Sequence, residues 1–272
     1  MKRHKSLQLA IAAGFVFAFL YIPIIVLVIF SFNRSAVMGK WEGFSFKWYT
    51  ALFENKLLLD AAFTSIQIAA MTATLAVILG LCSALVLVRY PKIKGAMLFK
   101  GLLATPLVLP DMITGLALLL FFVGTEQLLG WPQGRGVFTI IIAHTTLAMA
   151  YVVIIIKSRL EELDPLLEEA ALDLGAKPIT VFLKITLPII MPSLLAAWLL
   201  AFTLSLDDVV LASFLAGPNS TTLPMYIFSK IRLGLTPEIN ALATIVILFV
   251  SVCIAIMGVS LYTSGRNAPK PR

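Results

Sequence analysis

Long apolar runs separated by short polar stretches dominate the chain. A helix needs about 20 apolar residues to cross about 30 Å of hydrocarbon. Six stretches meet that length, at 9–32, 61–88, 96–123, 137–156, 189–216 and 239–262. The third and fifth are interrupted by Pro and Asp. The pattern predicts an all-α integral membrane protein with six transmembrane helices. Residues 1–8 form an N-terminal segment, 9–262 one transmembrane domain, and 263–272 a short polar tail.

Composition agrees. Hydrophobic residues make up 60% of the chain and charged residues 13%, against about 45–50% and about 25% in soluble domains. With a mean hydropathy of +0.99, a water-soluble fold would expose large apolar patches. Lys2-Arg3-His4-Lys5 opens like a signal peptide. The apolar run that follows far exceeds the roughly 7–15 residues of a signal core, and no small-residue cleavage site follows it, so it is expected to stay as the first helix. Cys82 and Cys253 lie inside apolar segments and read as small packing residues, with no disulfide or metal site implied.

Charge sets the expected orientation. With the N-terminus inside, the 21 Lys and Arg residues divide fourteen to the inner side and seven to the outer. The positive-inside rule then places both termini in the cytoplasm. The net charge of +7 is spread between apolar runs and not gathered in a patch, so membrane lipid, not nucleic acid, is the expected contact.

Two loops exceed simple connectors. The outer loop 33–60 carries Trp41, Phe44, Phe46, Trp48, Tyr49 and Phe53, which suggests a short interfacial helix. The inner loop 157–188 has Leu160, Leu163, Leu167, Ala170, Ala171 and Leu174 at helical spacing. Asp164 reads as an N-cap with Pro165 at the first helical position. Gly175 suits a left-handed stop. Ile179, Phe182 and Leu183 begin a further short helical stretch running to Pro188.

Asp111, Asp207 and Asp208 lie within apolar spans. A carboxylate near the bilayer centre costs roughly 2.5–3.5 kcal/mol on insertion scales. With the spans ending near Val123 and Gly217, Asp111 sits about 18 Å and Asp207 about 15 Å from the outer end, near the midplane. Lys100, about 16 Å before Asp111 on the same span, cannot pair with it. His144 is the other titratable candidate. The acids are therefore protonated, neutralised by a partner subunit, or met by a permeating cation, and a small cationic solute fits. Pro106 and Pro110 are expected to break the third span at this depth, which is tolerated where the break is buried in protein or lines a cavity. Asp207 and Asp208 stand about 100° apart on a helix, so one faces the path and the other packs against a partner helix or near His144. Asp207 is favoured for the path. Tyr151 and Trp198 are candidates for cation–π contact with an amine. His144 reads as a hydrogen-bonded packing residue. The chain has no Gly-x-Ser-x-Gly pattern and no Walker A sequence, so neither a serine hydrolase nor a self-powered ATPase is expected.

Glu169-Ala170-Ala171, Gly175, Ile185 and Leu187-Pro188 keep the spacing of the EAA loop, and the chain resembles the permease subunits of ATP-binding-cassette importers. The resemblance implies a type I importer permease fold and a cytoplasmic coupling helix. It implies as partners a second permease, two ATPase subunits that bind ATP and Mg, and a periplasmic binding protein. It implies that this chain holds no cofactor, is not an enzyme, and resides in the bacterial inner membrane. In that family Glu169 meets a basic residue of the ATPase, Ala170 and Ala171 allow close approach, and Gly175 sets the turn. Leu109-Pro110-Asp111, 204–209, 217–218 and 221–224 resemble the polyamine branch. The stretches 130–132 and 237–244 are similar to putrescine permeases, with spermidine/putrescine permeases close behind. The implied mechanism is alternating access, with Asp111 and Asp207 or Asp208 meeting the ammonium groups. A permease for another small solute, or an ion-gradient-driven secondary transporter, is the alternative.

Overall fold

The computed structural model describes residues 2–37, 39–233, 237–248 and 251–252. The helices are α1 (Lys2–Ser31), α2 (Lys47–Glu54), α3 (Lys56–Arg89), α4 (Ala96–Val108), α5 (Asp111–Leu129), α6 (Val137–Glu161), α7 (Pro165–Asp173), α8 (Pro178–Val181), α9 (Leu187–Asp207), α10 (Val210–Leu215) and α11 (Leu223–Leu233). A twelfth, α12, spans Glu238–Leu248. Among the described residues, five helical stretches are long and apolar enough to cross a membrane: Ala12–Ser31, Lys56–Arg89, Asp111–Leu129, Val137–Glu161 and Pro178–Asp207. The sixth expected span, 239–262, is seen only through α12 and residues 251–252; Cys253 and the tail lie outside the described residues.

The chain divides into two compact units, Met1–Leu59 with Ser229–Arg272, and Asp60–Phe228. In the first, the loop after α1 is organised by the buried Asn33. Its Nδ2 donates to Lys40 O at 2.7 Å, its Oδ1 accepts from Glu42 N at 3.0 Å, and its carbonyl accepts from Trp48 Nε1 at 2.7 Å. The Asn33 side chain thus satisfies the turn, and its main-chain carbonyl ties down the start of α2, the short helix expected in this aromatic loop. Phe32, Phe44, Phe46 and Tyr49 stack around it.

In the second unit α3, α6 and α9 pack through small residues. Ala73, Ala76 and Ala84 of α3, Ala148 of α6 and Ala197 and Ala201 of α9 are all buried in one cluster with Val152, Ile156, Ile190 and Leu194. Lipid gives no hydrophobic drive between helices, so close backbone approach supplies the dispersion contact that holds them. Gly80 marks the tightest point, since a Cβ there would stand 2.5 Å from Val152 Cγ1.

The interrupted spans differ from their expected form. The third breaks at Leu109–Pro110, with Leu109 extended at φ −77°, ψ 136° as a residue before proline prefers. Pro106 stays inside α4, and the second piece continues to Leu129, not Val123. Asp111 is therefore the first residue of α5, about 27 Å from its far end and not about 18 Å. In the fifth span, the helical stretch expected to stop at Pro188 instead runs on without interruption from Pro178 to Asp207. Residues Phe182–Thr186 form a π-helical turn, with Leu187 N bonding Phe182 O. The wider turn relieves the clash that the Pro188 ring would make with the carbonyl four residues back. The helix then ends at Asp207, short of Gly217, and α10 restarts after a break at Asp208 and Val209.

Gly80→Leu is expected to destabilise the second unit by about 1–3 kcal/mol through overpacking. Leu79→Ala, at an exposed neighbour, is expected to stay within about 0.5 kcal/mol. Unfolding midpoints of the purified protein in detergent check both.

Candidate functional site

Two places in the second unit carry unusual chemistry. The first is the break between α9 and α10. Asp208 is nearly buried and its Oδ1 accepts from Ala212 N at 3.1 Å, so the carboxylate caps the positive N-terminal end of α10. The same oxygen lies 3.4 Å from His144 Nε2. His144, 3% exposed, shares a 2.8 Å hydrogen bond through Nδ1 with Ser205 Oγ. Three helical segments are thereby joined by one polar cluster. Asp207, one residue earlier, is exposed and forms no ion pair among the described residues. It sits at the carbonyl end of α9, where the helix dipole adds negative charge to that of the carboxylate. The adjacent acids thus divide into one that holds the fold and one left open.

The far end of α10 is fixed as firmly. Leu215 O accepts from Thr139 Oγ1 at 2.9 Å and Phe214 O from Arg135 Nη1 at 3.2 Å, which satisfies carbonyls that a six-residue helix would otherwise leave open. Phe214 also meets Gly115 of α5, where a Cβ would stand 2.6 Å from its ring. Asp111 lies one turn before Gly115, exposed, at the break between α4 and α5. α5 and α10 therefore touch, and each follows a break that carries an acid. Tyr151 and Trp198 stand elsewhere. Trp198 donates to Thr74 Oγ1 at 3.2 Å and stacks on Phe202 at 5.3 Å, as a packing residue does. Tyr151 is about 10 Å along α6 from His144.

The second place is the loop after α6. Asp164 caps α7, its Oδ1 accepting from Leu166 N at 3.0 Å, with Pro165 at the first position. Gly175, at φ +85°, ends it: Gly175 N bonds Leu172 O at 2.8 Å and Ala176 N bonds Ala171 O at 3.0 Å, the paired closure of a Schellman stop. Glu169, Ala170 and Leu174 are exposed, Ala171 and Ile185 are half-buried, and Leu187 and Pro188 open α9. Sequence reasoning missed Glu168. It is 93% buried, being 7% exposed, and receives Arg89 Nη2 of α3 at 2.5 Å and the Thr186 hydroxyl of the π turn on one carboxylate oxygen. Burial alone would raise its pKa, but the two hydrogen bonds and the Arg89 charge outweigh it and hold the carboxyl below the ordinary glutamate value. The available signal was the pair Glu168-Glu169: neighbours about 100° apart on a helix cannot share a face. Among the described residues no group of three or more His, Cys, Asp or Glu gathers as a metal site would.

These features define an all-α protein with membrane-spanning helices: a bundle broken at acidic joints, with a capped helical loop after α6. Residues 76–266 match the family of binding-protein-dependent transport system inner membrane components, and the chain belongs to it. It is thus a permease subunit of ABC importers and not an enzyme. It is 53% identical over 231 residues, 85% of this chain and 82% of the relative, to the putrescine transport system permease protein PotI of Escherichia coli K12. It is 44% identical over 232 residues, 85% and 88% of the two chains, to the spermidine/putrescine transport system permease protein PotC of Haemophilus influenzae. The fold matches a bacterial ABC transporter that imports the acidic polysaccharide alginate, with TM-score 0.73 and 20% identity over 96% of each chain.

Because the folded-state pKa of Glu168 is depressed, its stabilising contribution is complete above the ordinary value of about 4.3 and is lost as pH falls through the lower folded value. Amide exchange across α7, corrected for intrinsic rates, is expected to show less protection at pH 3.5 than at pH 6, with Glu168→Gln removing most of that difference.

Proposed function

We propose that the chain is the permease subunit of an ATP-driven polyamine importer, with putrescine as its solute and Asp207 as the group that meets the ammonium in transit. The observation that carries this reading is the division of labour at the α9–α10 break. Asp208 accepts from the α10 amide and lies 3.4 Å from His144 Nε2, whereas Asp207 is exposed at a negative helix end and forms no ion pair among the described residues. A cation is the natural complement of such a site, and broken helices that aim their ends at a solute are the usual device for an ion path through a bilayer. Asp111, at the other break, supplies a second carboxylate for the second ammonium of a diamine. Tyr151 and Trp198 contribute at most a wall. The names of the two sequence relatives, putrescine and spermidine/putrescine permeases, point to the same solute class.

In this reading both termini face the cytoplasm and the 157–188 loop is the coupling loop. Exposed Glu169, with Ala170 and Ala171, docks on one of two ATPase subunits that bind ATP and Mg; Gly175 sets the turn, and Ile185, Leu187 and Pro188 carry the motion into α9. A second permease completes the path and a periplasmic binding protein delivers the solute. The path opens alternately to each side.

Asp207→Asn is expected to lower putrescine uptake roughly tenfold or more, the scale of one lost charge contact, with assembly intact. Asp208→Asn is expected to lower thermal stability as well. Uptake of labelled putrescine, competed with spermidine in cells carrying the whole transporter, reads both the effect and the preferred solute. Wild-type uptake by Asp207→Asn would exclude the assigned role. Glu169→Arg is expected to leave the chain in the membrane and abolish transport, read as loss of ATPase co-purification.

A further inference from the structure

Glu168 and Glu169 are adjacent on α7 and differ in exposure. Glu169 is exposed, while Glu168 is turned inward and buried. One oxygen of Glu168 takes hydrogen bonds from Arg89, the last residue of α3, and from Thr186, in the π turn that leads into α9. A single carboxylate therefore ties the loop helix to the ends of two long spans. An open cavity of about 290 Å³ lies alongside, lined by Leu85, Val86, Tyr90, Leu172 and Phe182. The loop is thus held to α3 chiefly by this polar contact and not by a continuous apolar seam. From Thr186 the helix runs unbroken to Asp207, about 32 Å away.

We infer that Arg89, Glu168 and Thr186 form the transmission joint of the subunit. They are positioning residues that make α7, α3 and α9 move as one body, so that displacement of the loop reaches the Asp207–Asp208 break. This rests on the coupling-loop reading above. The Arg89 guanidinium meets the carboxylate through one charge-assisted hydrogen bond, which holds the two helices at a short distance. A buried hydroxyl on the same oxygen removes the freedom to rotate. The π turn holds Thr186 toward Glu168, which gives the widened turn a use beyond accommodating Pro188.

The test uses the complete transporter, with its partner permease, ATPases and binding protein, in liposomes. Spin labels are placed at Lys92→Cys and Asp173→Cys, with Cys82 and Cys253 replaced by Ser. The interlabel distance is expected to be narrow and to change by less than about 2 Å between the resting and ATP-trapped states. Glu168→Gln is expected to broaden it and to lower solute imported per ATP hydrolysed roughly tenfold, with the ATPase still co-purifying. The exchange of Arg89→Glu with Glu168→Arg is expected to restore the narrow distribution and part of the coupling. A distance that shifts between states in the unaltered joint overturns the inference, as does a Glu168→Gln variant with narrow distances and full coupling. Normal transport by Glu169→Arg would instead remove the coupling-loop reading, while the interlabel distance would still judge whether the three elements move together.

Discussion

Every backbone amide and carbonyl in a bilayer must find a partner within the protein, and the breaks in this chain are governed by that constraint. Two spans are interrupted, at Leu109–Pro110 and at Asp208–Val209. At the second, the Ala212 amide of α10 is met by Asp208, and the Leu215 and Phe214 carbonyls by Thr139 and Arg135. The break is therefore a built joint. His144 and Ser205 brace it from α6 and α9. The negative carbonyl end of α9 lies beside the exposed Asp207, and that negative potential gives the joint its chemistry.

The two ends of α9 complement each other. At one end a single oxygen of the Glu168 carboxylate gathers two donors; at the other, Asp208 caps α10 while Asp207 stands exposed. Between them lies a helix packed through Ala197 and Ala201 against α3 and α6. Small-residue seams of this sort hold helices close with little side-chain interlock. They let a helix transmit a push along its axis without dismantling its neighbours.

Much of this was legible in the residues. The positions of the first, second and fourth spans followed from apolar length, and the caps of α7 followed from Asp164-Pro165 and Gly175, because capping is a local property of three or four side chains. The placement of Asp208 near His144 was one of two options left open by helical geometry, and only tertiary packing could choose. The break at Pro110 but not at Pro106 was not readable, since one proline bends a helix while the residue before it decides whether the chain turns extended. The continuation through Pro188 was hidden too, because a π turn shows no composition signal. Glu168 was overlooked because its partners, Arg89 and Thr186, are far from it in sequence.

The central claim is that Asp207 faces the solute and Asp208 does not. Cysteine accessibility tests it most directly. Asp207→Cys and Asp208→Cys, each made with Cys82 and Cys253 replaced by Ser in the assembled transporter, are treated with a cationic thiol reagent with and without putrescine. The account predicts rapid modification at position 207, slowed by putrescine, and little at 208. Modification at 208 with position 207 inert, or labelling at 207 that putrescine leaves unchanged, would contradict it.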